Sequence, residues 1–367
     1  MNLNTTLIRS FREKVNSHSS YVYNKYRDID NKNHWNLICS CMDWITVSVK
    51  FLTTEINYDK DIDVRVMGLF SVISAIDIIV ESINQLHRVL CNTQDIPFTG
   101  ENGIFLNNQL ALSDNEYFKE LRAMFGAHPV NLKHKNGKHW FASWPHEPFS
   151  SQNNIFEVRL YSSQVGVKDL SFSVNLFELE VFAIKHYNHL HFLMNEIDKQ
   201  IEDFCERYKR IKIEKKSDPL ELLLVLRKES QMRFNNDYYN GSVDELIILF
   251  STTLDIKELM EEEKKYRSRL LEVIEEILNN LQSMKVVDLV TDDILNPEFP
   301  GGVIGYSISK LYDYGFDSRK EPQYDFHMEE LDRFSNNIYR FASSRTKEEV
   351  ILKMKMMLYR YNIEGFS

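Results

Sequence analysis

The sequence predicts a mainly α-helical protein, a helical bundle carrying a small antiparallel β-meander and followed by a second all-helical region. Three observations carry this. Apolar residues recur at helical spacing over long stretches of the first half and again towards the C-terminal end. Between Phe125 and Asn175 the period switches to alternation, which marks half-buried strands. Only 12 Gly and 8 Pro occur in 367 residues, too few for a loop-rich or sandwich design. The length exceeds that of a usual compact unit, so a division into residues 1–213 and 214–367 is expected.

Taken in order, residues 4–26 carry Leu7, Phe11, Val15, Tyr21 and Tyr26 along one helix. A second covers about 35–54, with Leu37, Ile38, Cys41, Met42, Ile45, Val49 and Leu52 on its apolar face. A third, about 64–90, is apolar almost all round and should be enclosed by its neighbours. Its most apolar window, 66–80, is shorter than the roughly 20 residues of a membrane span. Ser71, Ser74 and Asp77 interrupt it, so it reads as the central helix of a soluble bundle, and no membrane partner is expected. Residues 92–112, with Pro97, Gly100 and Gly103, read as a loop, after which Ser113 and Asp114 start a helix running through Tyr117, Phe118, Leu121 and Phe125.

Three alternating runs follow: Trp140, Ala142 and Trp144; Phe156, Val158 and Leu160; Leu170, Phe172 and Val174. They predict a three-stranded meander at about 138–174. Asn175 with Glu178 makes a capping-box pattern for a long helix reaching about residue 211. Asp218, Pro219 and Glu221 open the second region as N-cap, first helical residue and box partner. Helices are expected there at about 219–237, 242–284 (as one helix or two), 329–341 and 346–360, with 299–302 and 313–324 as loops.

Charge and cysteine usage narrow the function classes. A net charge of −10 excludes a general duplex-DNA binder held by a basic surface. Nucleic-acid contact would need a local patch, and the run Arg207, Lys209, Arg210, Lys212, Lys215 and Lys216 is the candidate, although as a charged helix end before a linker it needs no function, which is the favoured reading. Cys39, Cys41, Cys91 and Cys205 form no CxxC pair and no secreted framework, so reduced thiols in a cytoplasm are expected. The start, 1–16, lacks the apolar stretch of a signal peptide.

The segment richest in chemistry is 121–129. Arg122 and His128 are separated by five residues. On a straight helix that spacing is about 120° round the axis and about 9 Å along it, too far for one compact site. Pro129 disfavours the α region at His128, and Gly126 adds backbone freedom, so the imidazole could leave the helix for a cleft within reach of the guanidinium. Histidine passes protons near neutral pH, and an arginine fork binds phosphate oxygens. Together they suit metal-free phosphodiester chemistry, in which a ribose 2′-hydroxyl attacks; no cofactor is expected.

A helical bundle with Arg, five residues and His near the end of a late helix resembles the HEPN family over roughly residues 35–210. The resemblance implies an α-helical, often dimeric protein, of the kind that includes metal-independent endoribonucleases of bacterial defence and toxin systems. It implies catalytic roles for Arg122 and His128, with two copies facing each other across a symmetric homodimer. Where many active members have a polar residue straight after the arginine, this chain has Ala123. The other reading is a non-catalytic interaction or dimerisation protein, in which Arg122 pairs with Glu120 or another acid and His128 caps a helix.

Asp43 and Asp77 each lie inside an apolar helix, and a buried carboxylate is costly unless paired, so both are candidate supporting acids, with Glu120 a third. Histidines gather at His128, His134, His139 and His146, and at His186, His189 and His191, but no carboxylate or cysteine completes a metal-ligand set. Trp140, Trp144 and His139 could stack on bases, though aromatics of a meander are more often core. No Walker loop, GxGxxG or GxSxG occurs.

Overall fold

A computed structural model gives the fold and describes residues 1–54, 61–106, 108, 110–127, 129–130, 132–133, 139–143, 155–316 and 323–364. The chain is mainly helical with a small antiparallel sheet, and it divides into two compact units, Met1–Ile201 and Glu202–Ser367.

The first unit opens with α1 (Thr5–Ser17) and α2 (Ser19–Tyr26). The single helix expected over 4–26 is broken at His18, whose φ of −120° and ψ of 30° leave the helical region. Next come α3 (His34–Thr53) and α4 (Ile62–Leu90), which pack along one another. Ile38, Met42, Ile45, Val49 and Leu52 of α3 are buried, as are Leu69, Val72, Ile73, Ile76, Ile79 and Ile83 of α4.

By length and composition α4 could cross a membrane; in this unit Leu69, Val72, Ile73, Ile76, Ile79 and Ile83 are buried, Val64 and Met67 near its start are exposed, and Ser71, Ser74 and Asp77 lie on partly exposed positions.

The loop after α4 is held down by side chains. Asp114 is buried and accepts from the Ile104 and Phe105 amides at 3.2 and 3.4 Å. Asn115 Nδ2 donates to the Pro97 carbonyl at 3.0 Å. Ser113 then caps α5 (Asp114–Arg122) in a capping box with Glu116, as Ser-x-x-Glu requires. At Ala123–Ala127 the chain turns π-helical, and this turn runs to Ala127, short of Pro129 as the proline requires.

The sheet has β1 (Leu132–Lys133), β2 (His139–Ser143), β3 (Ile155–Ser162) and β4 (Leu170–Asn175), in chain order and antiparallel throughout. The three expected strands are there; β1 is added, and two residues are too short to show a period. Phe156 stands opposite Val174, and Val158 opposite Phe172, all four buried. Trp140 is buried in the core, while Trp144 lies outside the described residues. Helix α6 (Leu176–Arg210) follows, and the first unit ends within it.

The second unit holds α7 (Pro219–Arg233), α8 (Asp237–Ser251), α9 (Met260–Ser283), the single turn α10 (Asp292–Leu295), α11 (Gly302–Phe316), α12 (Tyr324–Phe334) and α13 (Lys347–Glu364). Asp218 caps α7 as expected, accepting from the Glu221 amide at 2.9 Å. The expected 242–284 stretch is two helices, α8 and α9, separated by a short break. Two expectations are corrected. The helix placed at 329–341 lies earlier, at Tyr324–Phe334, and Asp313–Phe316 belongs to α11 and not to a loop. The second error arises where Gly315 and the tyrosines around it dilute the apolar period.

Helix α13 is the centre of this unit: Val350–Leu358 is buried at every position, including Lys353 and Lys355. Lys355 Nζ pairs with Glu245 at 2.7 Å and donates to the Leu295 carbonyl at 2.7 Å, and Tyr312 donates to the same Glu245. Arg233, fully buried, satisfies helix-end carbonyls of Tyr208, Ile211 and Leu281 while pairing with Glu229.

Candidate functional site

Arg122 is the last residue of α5, and α5 with its π-helical turn packs on α4. The contact is anchored by Tyr117, Phe118, Leu121, Met124 and Phe125, all buried. Leu121 and Met124 thus bracket Arg122 and leave it on the outer side. There its Nε lies 2.8 Å from Asp77 Oδ2, with the guanidinium half exposed and the carboxylate about three-quarters covered. Single π-turns are rare and recur at functional sites, because the inserted residue re-aims the side chains that follow.

The electrostatics of Asp77 are contested. Burial raises its pKa and Glu81, one turn on, raises it further, while Arg122 and Lys119 lower it; burial is the larger effect. Glu81 accepts from Gln85 Nε2 at 2.6 Å. The outer face of α4 and the end of α5 therefore carry a mixed polar cluster with one half-exposed guanidinium.

The structure joins two of the candidates read from the sequence, Arg122 and Asp77. Glu120 is exposed on α5, and the acid that pairs with Arg122 is Asp77. Asp43 is not a buried acid: it is 69% exposed and pairs with Arg12 at 2.9 Å, because it falls on the outer face of α3. His128, His134 and His146 lie outside the described residues.

Of the basic run, Arg207, Lys209, Arg210 and Lys212 are exposed. Lys209 pairs with Glu206 at 2.9 Å, and Arg207 lies over the rings of Phe204 and Tyr208. Gln282 fixes the backbone behind them, donating to the Lys209 carbonyl and accepting from the Ile213 amide.

A second constellation escaped the sequence reading because one member, His87, is distant in the chain. His87 Nδ1 on α4 lies 3.1 Å from His189 Nε2 on α6, and 3.5 Å from Cys91 Sγ one turn along α4. His186, on the same face of α6, is buried, with Nδ1 3.0 Å from the Phe182 carbonyl and Nε2 2.9 Å from Asn115 Oδ1. Phe98 sets its ring edge-on to both His186 and His189, and adopts a φ of +60°, strained for a bulky residue.

Burial pulls the pKa values of His186 and His189 down to about 4 and pushes the Cys91 thiol up to about 11. At neutral pH the cluster is uncharged, and the thiol is no nucleophile. Among the described residues, no group of three or more His, Cys, Asp or Glu side chains is arranged to hold a metal ion.

Comparison of the chain with protein-family models, with curated proteins and with solved structures finds no match.

Proposed function

We propose that the chain is an RNA-directed protein of the HEPN type, a metal-independent endoribonuclease or RNA binder of a bacterial defence or toxin system, with Arg122 and His128 at its site. The observation that carries this reading is the half-exposed guanidinium of Arg122, tethered through Nε to Asp77 at a helix exit. A tethered fork loses less freedom on gripping a phosphate than a free side chain does. Asp77 orients Arg122, and the histidine that follows the π-helical turn supplies proton transfer. Arg207, Lys209, Arg210 and Lys212 would lie along the RNA backbone, Asp43 and Glu120 serving only as surface acids. The protein would act in the cytoplasm as a homodimer, without cofactor.

The test is incubation of the purified chain with total RNA in the presence of a chelator, beside an Arg122→Ala/His128→Ala control. Cleavage lost in the control supports the reading. A non-catalytic interaction protein is favoured by one specific observation, that Asp77 already neutralises Arg122; no cleavage, together with RNA affinity unaltered by Arg122→Ala, would establish it.

A further inference from the structure

Helix α3 presents an apolar stripe to solvent on the side away from its core. Trp44, Val47 and Phe51 are 54%, 59% and 40% exposed. With exposed Ser40 and partly exposed Leu37 they fall at intervals of three, four, three and four residues. That is the heptad spacing of a helix seam, with Leu37, Trp44 and Phe51 at one core position and Ser40 and Val47 at the other. Such a stripe fits a straight partner helix, crossing at about 20°.

We propose that the partner is α3 of a second copy, packed antiparallel about a two-fold axis. The stripe is complementary to itself in that direction and in no parallel one. Antiparallel seams set each core position against the other type. Trp44 then faces Val47 of the second copy, and Phe51 faces Ser40 of the second copy, so each bulky ring meets a smaller side chain. A parallel pairing would stack Trp44 on Trp44 and Phe51 on Phe51.

Charge agrees with size. Asp43 and Lys50 are both exposed and occupy the flanking positions that meet one another across an antiparallel seam. Each dimer would therefore hold two Asp43–Lys50 pairs between copies, related by the axis, as an isologous interface demands. Asp43 pairs with Arg12 of its own chain on the side facing α1, and Lys50 makes no ion pair within its own chain among the described residues. The flanking positions on the other side, Cys41 and Ser48, are buried in the chain's own core, which fixes the partner to one side of the stripe. The reading above already takes the chain as a homodimer, and this inference rests on it for the second copy; the seam names the surface, which forms whether or not the protein cuts RNA.

The test is sedimentation equilibrium of the full chain over a concentration series from sub-micromolar to the solubility limit. A monomer–dimer equilibrium is expected, abolished by Trp44→Glu with circular dichroism unchanged. Asp43→Lys alone and Lys50→Asp alone should each raise the dissociation constant roughly tenfold or more, since each sets like charges face to face twice. The double swap should restore the wild-type value. A monomer at every concentration, or a dimer insensitive to Trp44→Glu, would overturn the seam. Failure of the double swap to restore dimerisation would overturn the antiparallel pairing.

Discussion

Asp77 Oδ2 and Arg122 Nε lie 2.8 Å apart, one on α4 and the other at the end of α5. An acid that the sequence places inside an apolar helix thereby becomes the tether of an arginine 45 residues on. Burial raises the Asp77 pKa against the pull of Arg122, so the ionised carboxylate adds little to the fold. Asp77→Asn should change stability by less than about 1 kcal/mol. All four tryptophans lie in the first unit, so the urea midpoint by tryptophan fluorescence reads this directly. A loss of several kcal/mol would instead mark a structural bridge.

The proposed chemistry dictates its products. One Arg and one His working on a 2′-hydroxyl should leave a 2′,3′-cyclic phosphate and a 5′-hydroxyl, in chelator, and should spare DNA of the same sequence. Arg122→Ala or His128→Ala is expected to slow cleavage by on the order of 10²–10⁴ with the melting curve nearly unchanged. Ala123→Asn should raise the rate if a polar neighbour assists the arginine. Cleavage that stops on adding chelator, or persists in His128→Ala, refutes the mechanism.

The imidazole cluster makes the first unit acid-sensitive. An unfolded histidine titrates near 6.5, whereas His186 and His189 do so near 4 in the fold. Between those values the unfolded chain binds more protons, so stability falls as pH falls. For the buried His186 the loss from pH 7 to 4 is roughly 3 kcal/mol. His189→Phe, which suits its neighbours Phe98 and Phe192, should flatten the slope of tryptophan-monitored stability against pH over this range. An unaltered slope would assign the sensitivity to other groups.

Lys355 and Glu245 form a buried pair in the second unit. Lys355→Met leaves Glu245 without its cation and should cost about 3–5 kcal/mol. Replacing Glu245 by Gln as well should recover much of that, because a neutral amide needs no counter-charge. Unfolding followed by circular dichroism, with the tryptophan signal as an internal control for the first unit, separates the two outcomes.

Gly305, in the first turn of α11, has no room for a side chain: a Cβ there would collide with the Pro300 carbonyl oxygen. Because the obstacle is backbone, Gly305→Ala should destabilise by about 1–3 kcal/mol. An unchanged midpoint in the second unit would show that the 299–302 turn yields freely.

Local chemistry alone determined much of this protein. The helices with strong apolar periods, α3, α4 and α6, the caps at Ser113 and Asp218, and the alternating strands were legible because each depends on residues within a turn or two of one another. Where the period was diluted, as over α11, or interrupted at His18, the sequence misplaced the elements. What only the tertiary structure decided were partnerships between distant residues. It set Asp77 against Arg122 and His87 against His189, and it exposed Asp43 while burying Lys355. Burial and ion pairing depend on which helix faces come together, and helical periodicity defines faces without naming the neighbour that covers each one.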